Sequence, residues 1–210
     1  MAETRTFTID RLCAFTDGVF AIAITLLVLD LKVPDTPQVP IREAVLGTLP
    51  KFDSWVISFF VIGVLWLRHH VVLTQIKRAD VTVLCLNLVL LLIVSFMPWV
   101  TSLNETYRHQ PLAIILFSGT LGLAWTALTS IWLYAERQGH LMQGRVQRRS
   151  RLISTLLVTR GILTALISIG LAYIDAGLAL YSWGLLIVFH YVIRAYALEE
   201  GAVEEGKASQ

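Results

Sequence analysis

The sequence predicts an all-α, polytopic membrane protein with six transmembrane helices per subunit and both termini in the cytoplasm. Three observations carry this. The chain is 56% hydrophobic and only 15% charged over 210 residues, with mean hydropathy +0.68, whereas a soluble domain is about a quarter charged. Six apolar stretches approach the roughly 20 residues that a helix needs to cross a bilayer. Basic residues gather in the segments on one side of those stretches. So little charge argues against a soluble enzyme, a disordered region or a nucleic-acid binder, and the net charge of +2 offers no strong steering toward DNA.

Taken in order, the first span runs from Leu12 to Leu31 and contains Asp17 and Asp30. It is too long for a signal peptide and is followed by more segments of its kind. The second begins near Ser54, passes Leu67, meets Arg68, His69 and His70, and resumes over Val71 to Ile76. The third, Val81 to Leu103, and the fourth, Leu112 to Tyr134, carry no charge. The fifth, Leu152 to Ile174, holds Arg160 alone, and the sixth, Ala176 to Ile193, has His190 near its end. Only Asp175 and its neighbours separate the last two, so they predict a tight helical hairpin. In lipid, helix is the economical state for all six, because every backbone polar group must be satisfied internally. The longest expected connections are Lys32 to Asp53 and Glu136 to Arg151.

With the N-terminus inside, the inner segments hold Arg5, Arg11, Arg68, Lys77, Arg78, Arg137, Arg145, Arg148, Arg149, Arg151, Arg194 and Lys207, and the outer ones only Lys32, Arg42, Lys51 and Arg108. Twelve basic residues against four is a positive-inside signal. Trp55, Trp99 and Tyr107 then fall near the outer surface, and Tyr134 and Tyr196 near the inner. The basic run from Gln143 to Arg151 reads as part of this topology signal, with anionic lipid as an alternative partner.

Ionisable residues in mid-span cost about 2.5–3.5 kcal/mol on insertion scales and call for a partner or a role. The candidates are Asp17, Arg68, His69, His70, Arg160 and His190. On a helical wheel at about 100° per residue, Gly18, Ile22, Thr25 and Leu29 share a narrow stripe with Leu26 at its edge. Ordinary helix packing is the plainer explanation of that stripe. Asp17 points elsewhere. It sits six positions from Arg11 on a different face, so each needs partners on other helices, with His69, His70, Asn87 and Arg160 available. A structural interhelix hydrogen bond would account for Asp17 without any further role. The same holds for the histidines, where the alternative is a proton sensor. Arg160 is expected to pair with a carboxylate or with carbonyls. Cys13 and Cys85 lie in apolar runs and read as small buried hydrophobes. No metal-ligand motif, phosphate loop or nucleophile elbow is present, so neither an enzyme nor a resident cofactor or metal is expected.

The stretch Arg11-x-x-x-Phe15-Thr16-Asp17-Gly-Val-Phe-Ala-Ile-Ala-Ile-Thr25-Leu-Leu-Val-Leu29 resembles the signature of the transmembrane protein 175 potassium channels, in their bacterial single-repeat form. The family motif is R-x-x-x-F-S-D, and Thr16 stands here for the usual serine, keeping the hydroxyl. The match covers about Arg11 to Pro34. The resemblance implies a homotetrameric cation channel of the cell inner membrane, permeated by monovalent K+ and lined by its first helices. It implies a constriction of Ile22, Leu26 and Leu29 and a threonine layer, Thr25, favouring potassium. It also implies a structural polar network of Arg11, Phe15, Thr16 and Asp17 with Trp66, His69 and His70 on the second helix, one of the two histidines taking part. An ideal wheel puts Arg11 on the pore-facing side, a conflict that a bend near Gly18 or a helix starting after Arg11 would remove. Residues 1–198 then form the channel domain and 199–210 an acidic cytoplasmic tail. Asp30, near the outer mouth, either concentrates cations or is a solvated helix-end carboxylate. The competing expectations are a proton-coupled secondary transporter, a membrane-embedded enzyme and a lipid-binding structural protein. No convincing internal repeat supports the first.

Overall fold

The structure, a computed structural model, describes residues 8–32, 38–108, 110–143 and 148–185. Its elements are α1 (Ile9–Leu26), a 3₁₀ turn (Leu27–Asp30), α2 (Ile41–Thr74), α3 (Val81–Thr106), α4 (Pro111–Gln138) and α5 (Arg148–Ala172). A further helix, here α6, occupies 176–185 at the end of the described residues. Among the described residues, five helices are long and apolar enough to cross a membrane: Ile9–Leu29, Lys51–Thr74, Val81–Thr106, Pro111–Gln138 and Ser154–Ala172. His190 and the acidic tail lie outside the described residues.

The helix ends follow from local chemistry. Asp80 caps α3, its carboxylate accepting from the Val83 amide at 2.9 Å, and so supplies one of the acceptors a helix start lacks. Pro111 opens α4, where its missing N–H costs nothing, and Gly139 closes α4 at φ 58°, a left-handed conformation suited to glycine. Asp175 accepts from the Leu178 amide at 2.8 Å, which makes it the pivot of the expected α5–α6 hairpin. Pro98 sits within α3, and the helix continues past it.

Two connections are shorter than the sequence suggests. The interval Lys32 to Asp53 is not a loop throughout: α2 starts at Ile41 and runs 34 residues. Arg42, Glu43, Gly47 and Pro50 lower its hydropathy below that of a span, but a helix need not lie in lipid. Likewise α4 extends to Gln138 and α5 begins at Arg148. Arg68, grouped above with the inner segments, lies inside the second span.

α4 is the central helix, packed between α3 and α5, while α1 rests on α2 and α3. Trp125, Trp132, Phe117 and Leu121 of α4 are fully buried. Within lipid, hydrophobic transfer gives helices little reason to associate, so close approach must do it. α4 and α5 achieve this with small residues: a Cβ on Gly122 would stand 2.8 Å from the Ala165 Cβ, and one on Gly161 would enter the Trp125 indole. A buried polar chain crosses to α6, where the Trp183 indole donates to the Ser118 hydroxyl at 3.0 Å and Ser118 meets Ser168 at 2.8 Å.

The two ends of the bundle are tied differently. At one, the α2–α3 and α4–α5 loops pair as backbone: Lys77 N–H to Leu141 C=O at 2.7 Å and Gln143 N–H to Gln75 C=O at 2.9 Å. Tyr134 donates to Asp80 at 2.6 Å beside them. At the other, Arg108 reaches both oxygens of Asp53 at 2.7 Å, and the Tyr181 hydroxyl donates to Asp53 at 3.0 Å.

Candidate functional site

α1 has two unlike faces. Leu12, Thr16, Phe20, Ala23 and Leu27 are buried, at spacings of four, four, three and four that trace one helical face. Nearly opposite them, Gly18, Ile22, Thr25, Leu26 and Leu29 are exposed on the single chain. Ile22 is 60% and Leu29 62% exposed. An apolar face this open, backed by a face packed into the bundle, needs cover from outside the subunit. The 3₁₀ turn at Leu27–Asp30 tightens the end of the helix, and it exposes Val28 beside Leu29. Sequence reasoning did not single out Val28, because an α-helical wheel turns it off the stripe.

The Thr25 hydroxyl donates within its own helix, to the carbonyls of Ala21 at 2.9 Å and Ile22 at 3.0 Å. Its one proton is thereby committed, and the oxygen faces outward as an acceptor. Asp30 ends the 3₁₀ turn; its side chain lies outside the described residues.

The polar residues of α1 form two contacts with neighbouring helices. Asp17 accepts from the Trp66 indole at 2.8 Å. The Thr16 hydroxyl accepts from the Asn87 amide at 2.9 Å, and the amide oxygen of Asn87 meets His69 Nε2 at 2.8 Å. Thr16, Asn87 and His69 are all buried, and the Phe20 ring lies 5.9 Å from that of His69. The structure thus brings Thr16, Asp17, Trp66 and His69 into place. His70 is exposed, its ring 6.0 Å from Trp66. Phe15 is 56% exposed and sits with Arg11, Thr8, Leu12, Leu84 and Leu88 around a surface groove rather than at these contacts. The helix begins at Ile9, so Arg11 is helical and a start after it does not account for its direction.

Asn87 is the residue that sequence reasoning undervalued. It was only one of several available partners, yet it links α1 to α2 through α3. Its signal was visible: an amide in a span with no charge. Elsewhere, the Arg160 guanidinium stands over the Trp125 ring, 5.8 Å from its centroid. Arg68 is buried, and its Nε and Nη2 make no hydrogen bond among the described residues. No group of three or more potential metal ligands occurs among the described residues.

Comparison with known proteins bears on this arrangement. The family model described as endosomal/lysosomal potassium channel TMEM175 matches residues 11–98, which cover α2 and most of α1 and α3. A potassium channel of Streptomyces collinus is 35% identical over 186 residues, covering 86% of this chain and 90% of its own. The mouse endosomal/lysosomal proton channel TMEM175 is 33% identical over 139 residues, but the match covers only 28% of that longer protein. Among solved structures, a lysosomal potassium-selective channel TMEM175 homologue from Chamaesiphon minutus superimposes with a TM-score of 0.74 at 27% identity, over 87% of this chain and 96% of that one. These relatives and structural neighbours are ion channels, not enzymes.

Proposed function

The chain belongs to the TMEM175 family, and from that premise we propose that it is a potassium channel in which four copies surround one axis and their first helices line the pore. The observation that carries the reading is the two-faced α1: one face packed into the subunit, the other an open stripe of Ile22, Thr25, Leu26 and Leu29. Cyclic symmetry turns each such residue into a ring. Rings of Ile22, Leu26 and Leu29 close the path by dewetting, since a narrow apolar neck expels water and an ion stripped of water does not cross it. Modest widening or rotation of the four helices opens it.

The Thr25 ring supplies the selective step. Four neutral oxygens, their protons held by the helix backbone, offer acceptors of moderate strength. Potassium sheds its hydration shell at lower cost than sodium, so such oxygens favour it, with moderate discrimination. The contacts of Thr16 with Asn87 and Asp17 with Trp66 hold α1 at the angle that keeps the stripe on the axis, so this network positions the pore and stays out of the ion path.

In this reading α6 continues as the sixth span, both termini face the cytoplasm, and the protein sits in the cell inner membrane. With Arg11, Arg68 and Arg137 on one side and Lys51 on the other counted as span residues, nine basic residues lie inside against three outside, which supports that orientation. The Asp53–Arg108–Tyr181 end then faces outward, and Asp30 lies near the outer mouth.

The test is flux through purified protein in liposomes under potassium, sodium and proton gradients, with a cross-linking ladder that should stop at four. Channel function predicts potassium flux that needs no other gradient. Thr25→Ala should move the bi-ionic K+/Na+ reversal potential toward zero, and Thr25→Ser should preserve it. An unchanged reversal potential in Thr25→Ala removes Thr25 from selection. The proton gradient serves a second reading, proton conduction, which the name of the mouse relative motivates. A proton-coupled transporter would instead show saturable potassium flux in fixed ratio to protons, and the names of the relatives do not favour it.

A further inference from the structure

A cavity of about 570 Å³ opens at the Asp53–Arg108 end of the bundle, between the end of α3, the start of α4 and the α5–α6 turn. Its walls are Asn104 and Arg108 of α3, Pro111 of α4, residues 172–177 around the turn, and Leu180 and Tyr181 of α6. No residue of α1 lines it, so it stands apart from the stripe of Ile22, Thr25 and Leu29. Ligand pockets run about 300–1,000 Å³, and this cavity is of that size.

The open hydrogen-bonding groups of its walls decide what it takes. Asn104 is only 4% exposed, yet its amide makes no hydrogen bond among the described residues and is not sealed in the core, so it opens on the cavity. A buried amide without a partner is costly, and a guest that meets it recovers that cost. Asp175 lends Oδ1 to the Leu178 amide at 2.8 Å, while its Oδ2 makes no hydrogen bond and its charge no salt bridge among the described residues. Asp53, behind the wall, is saturated. Arg108 reaches both of its oxygens at 2.7 Å, the Ser54 amide donates to Oδ1 at 2.8 Å, and the Tyr181 hydroxyl donates to Oδ2 at 3.0 Å. That pairing offsets the Arg108 charge. It also commits the Tyr181 proton, so Tyr181 offers only lone pairs.

Acceptors therefore outnumber donors. Asp175 Oδ2, Tyr181 Oη and Asn104 Oδ1 stand against the single Asn104 NH2 group, and the Asp175 charge has no cation against it. A fitting guest brings N–H donors and positive charge. An ammonium group has three donors and no acceptor. A metal ion instead needs several oxygens drawn in to about 2.0–2.6 Å, and no group of three or more metal-ligating side chains occurs among the described residues. The volume leaves room for a carbon body, for which Pro111, Leu180 and the Tyr181 ring supply apolar wall. Tyrosine rings also attract ammonium groups.

We propose that this cavity binds a small organic ammonium ion, its N–H groups shared among Asp175, Asn104 and the Tyr181 oxygen. A soluble amine and the headgroup of phosphatidylethanolamine share this chemistry. The site lies on the outward face in the orientation given above, and it does not depend on the pore reading.

The test uses full-length protein in phosphatidylcholine nanodiscs. Aminobutanol is the probe, and butanediol, with a hydroxyl in place of the ammonium, is its neutral match. Saturation-transfer NMR should show aminobutanol bound and butanediol not. Asp175→Asn, which keeps a capping oxygen for α6, and Asn104→Ala should each weaken aminobutanol about tenfold. Potassium flux in liposomes should be the same for both variants as for wild type, so the channel reading is scored separately. Suppression of the signal by phosphatidylethanolamine in the disc assigns the site to that headgroup, and persistence assigns it to a soluble amine. Equal binding of butanediol would overturn the proposal. So would an unchanged affinity in Asp175→Asn, or displacement of aminobutanol by equimolar KCl, which would make the cavity a site for bare cations.

Discussion

Asn87 holds three helices with one side chain. Its amide nitrogen donates to Thr16 of α1 and its oxygen meets His69 of α2. Each of these groups is buried, so removing the amide leaves two polar atoms without a partner. An orphaned buried group costs about 1–3 kcal/mol, although interhelical hydrogen bonds in bilayers average about 0.6 kcal/mol because the unfolded state in lipid also finds partners. Asn87→Leu, which keeps the branching and the number of heavy atoms, should therefore lower stability by about 1–2 kcal/mol, read from thermal unfolding in detergent. Leu88→Asn, one position along on the exposed side, should not reproduce the loss. Equal unfolding temperatures for wild type and Asn87→Leu would show that the contact holds nothing. The sequence offered Asn87 as one partner among several, and only distance separated it from Arg160.

Helix pairs are held by what they omit as much as by what they present. Gly161 lies where any Cβ would penetrate the Trp125 indole, and Gly122 meets Ala165. Close packing of this kind replaces the hydrophobic drive that lipid withholds. Gly161→Ala should force α4 and α5 apart or turn the indole, at a cost of about 1–3 kcal/mol, seen as a lower unfolding temperature and a shifted tryptophan emission. Gly170→Ala, on the same helix with open space around it, is the matched control and should be neutral or slightly stabilising. The positions of the glycines were visible in the sequence. Which of them face a neighbour was not, because that depends on the rotation of each helix about its own axis. The opposite lesson comes from α2. Arg42, Glu43, Gly47 and Pro50 made its first turns look like a loop, yet the helix runs through them to Thr74.

At the scale of the whole molecule, the field at the pore mouth matters. A ring of Asp30 carboxylates would raise the local cation concentration, and such a field is screened within about 10 Å at 0.1 M salt but reaches about 30 Å at 0.01 M. Asp30→Asn should reduce single-channel conductance in low salt and leave it unchanged near 1 M. A reduction that persists at high salt would mean that Asp30 acts by shape rather than charge. The subunit also has an asymmetry of ends. Backbone pairing ties the loops around Gln75–Asp80 and Leu141–Gln143, whereas a partly exposed ion pair, Arg108 with Asp53, ties the other end. An exposed pair of this kind is worth about 0–1 kcal/mol, so the Asp53 end is the more easily loosened.

The sequence by itself determined the membrane class, five of the spans, the α5–α6 hairpin, and the stripe of Ile22, Thr25 and Leu29, because hydropathy and a 3.6-residue period are local properties. It also marked Asp17 and the two histidines as residues in need of partners, while Thr16 and Trp66 entered only through the family resemblance. Tertiary structure alone decided that His69 rather than His70 meets Asn87, that Asp53 gathers Arg108 and Tyr181 from 55 and 128 positions away, and that the stripe is one of the faces the subunit leaves uncovered. Those facts depend on how helices are rotated and which of them are neighbours, and no local pattern along the chain encodes either.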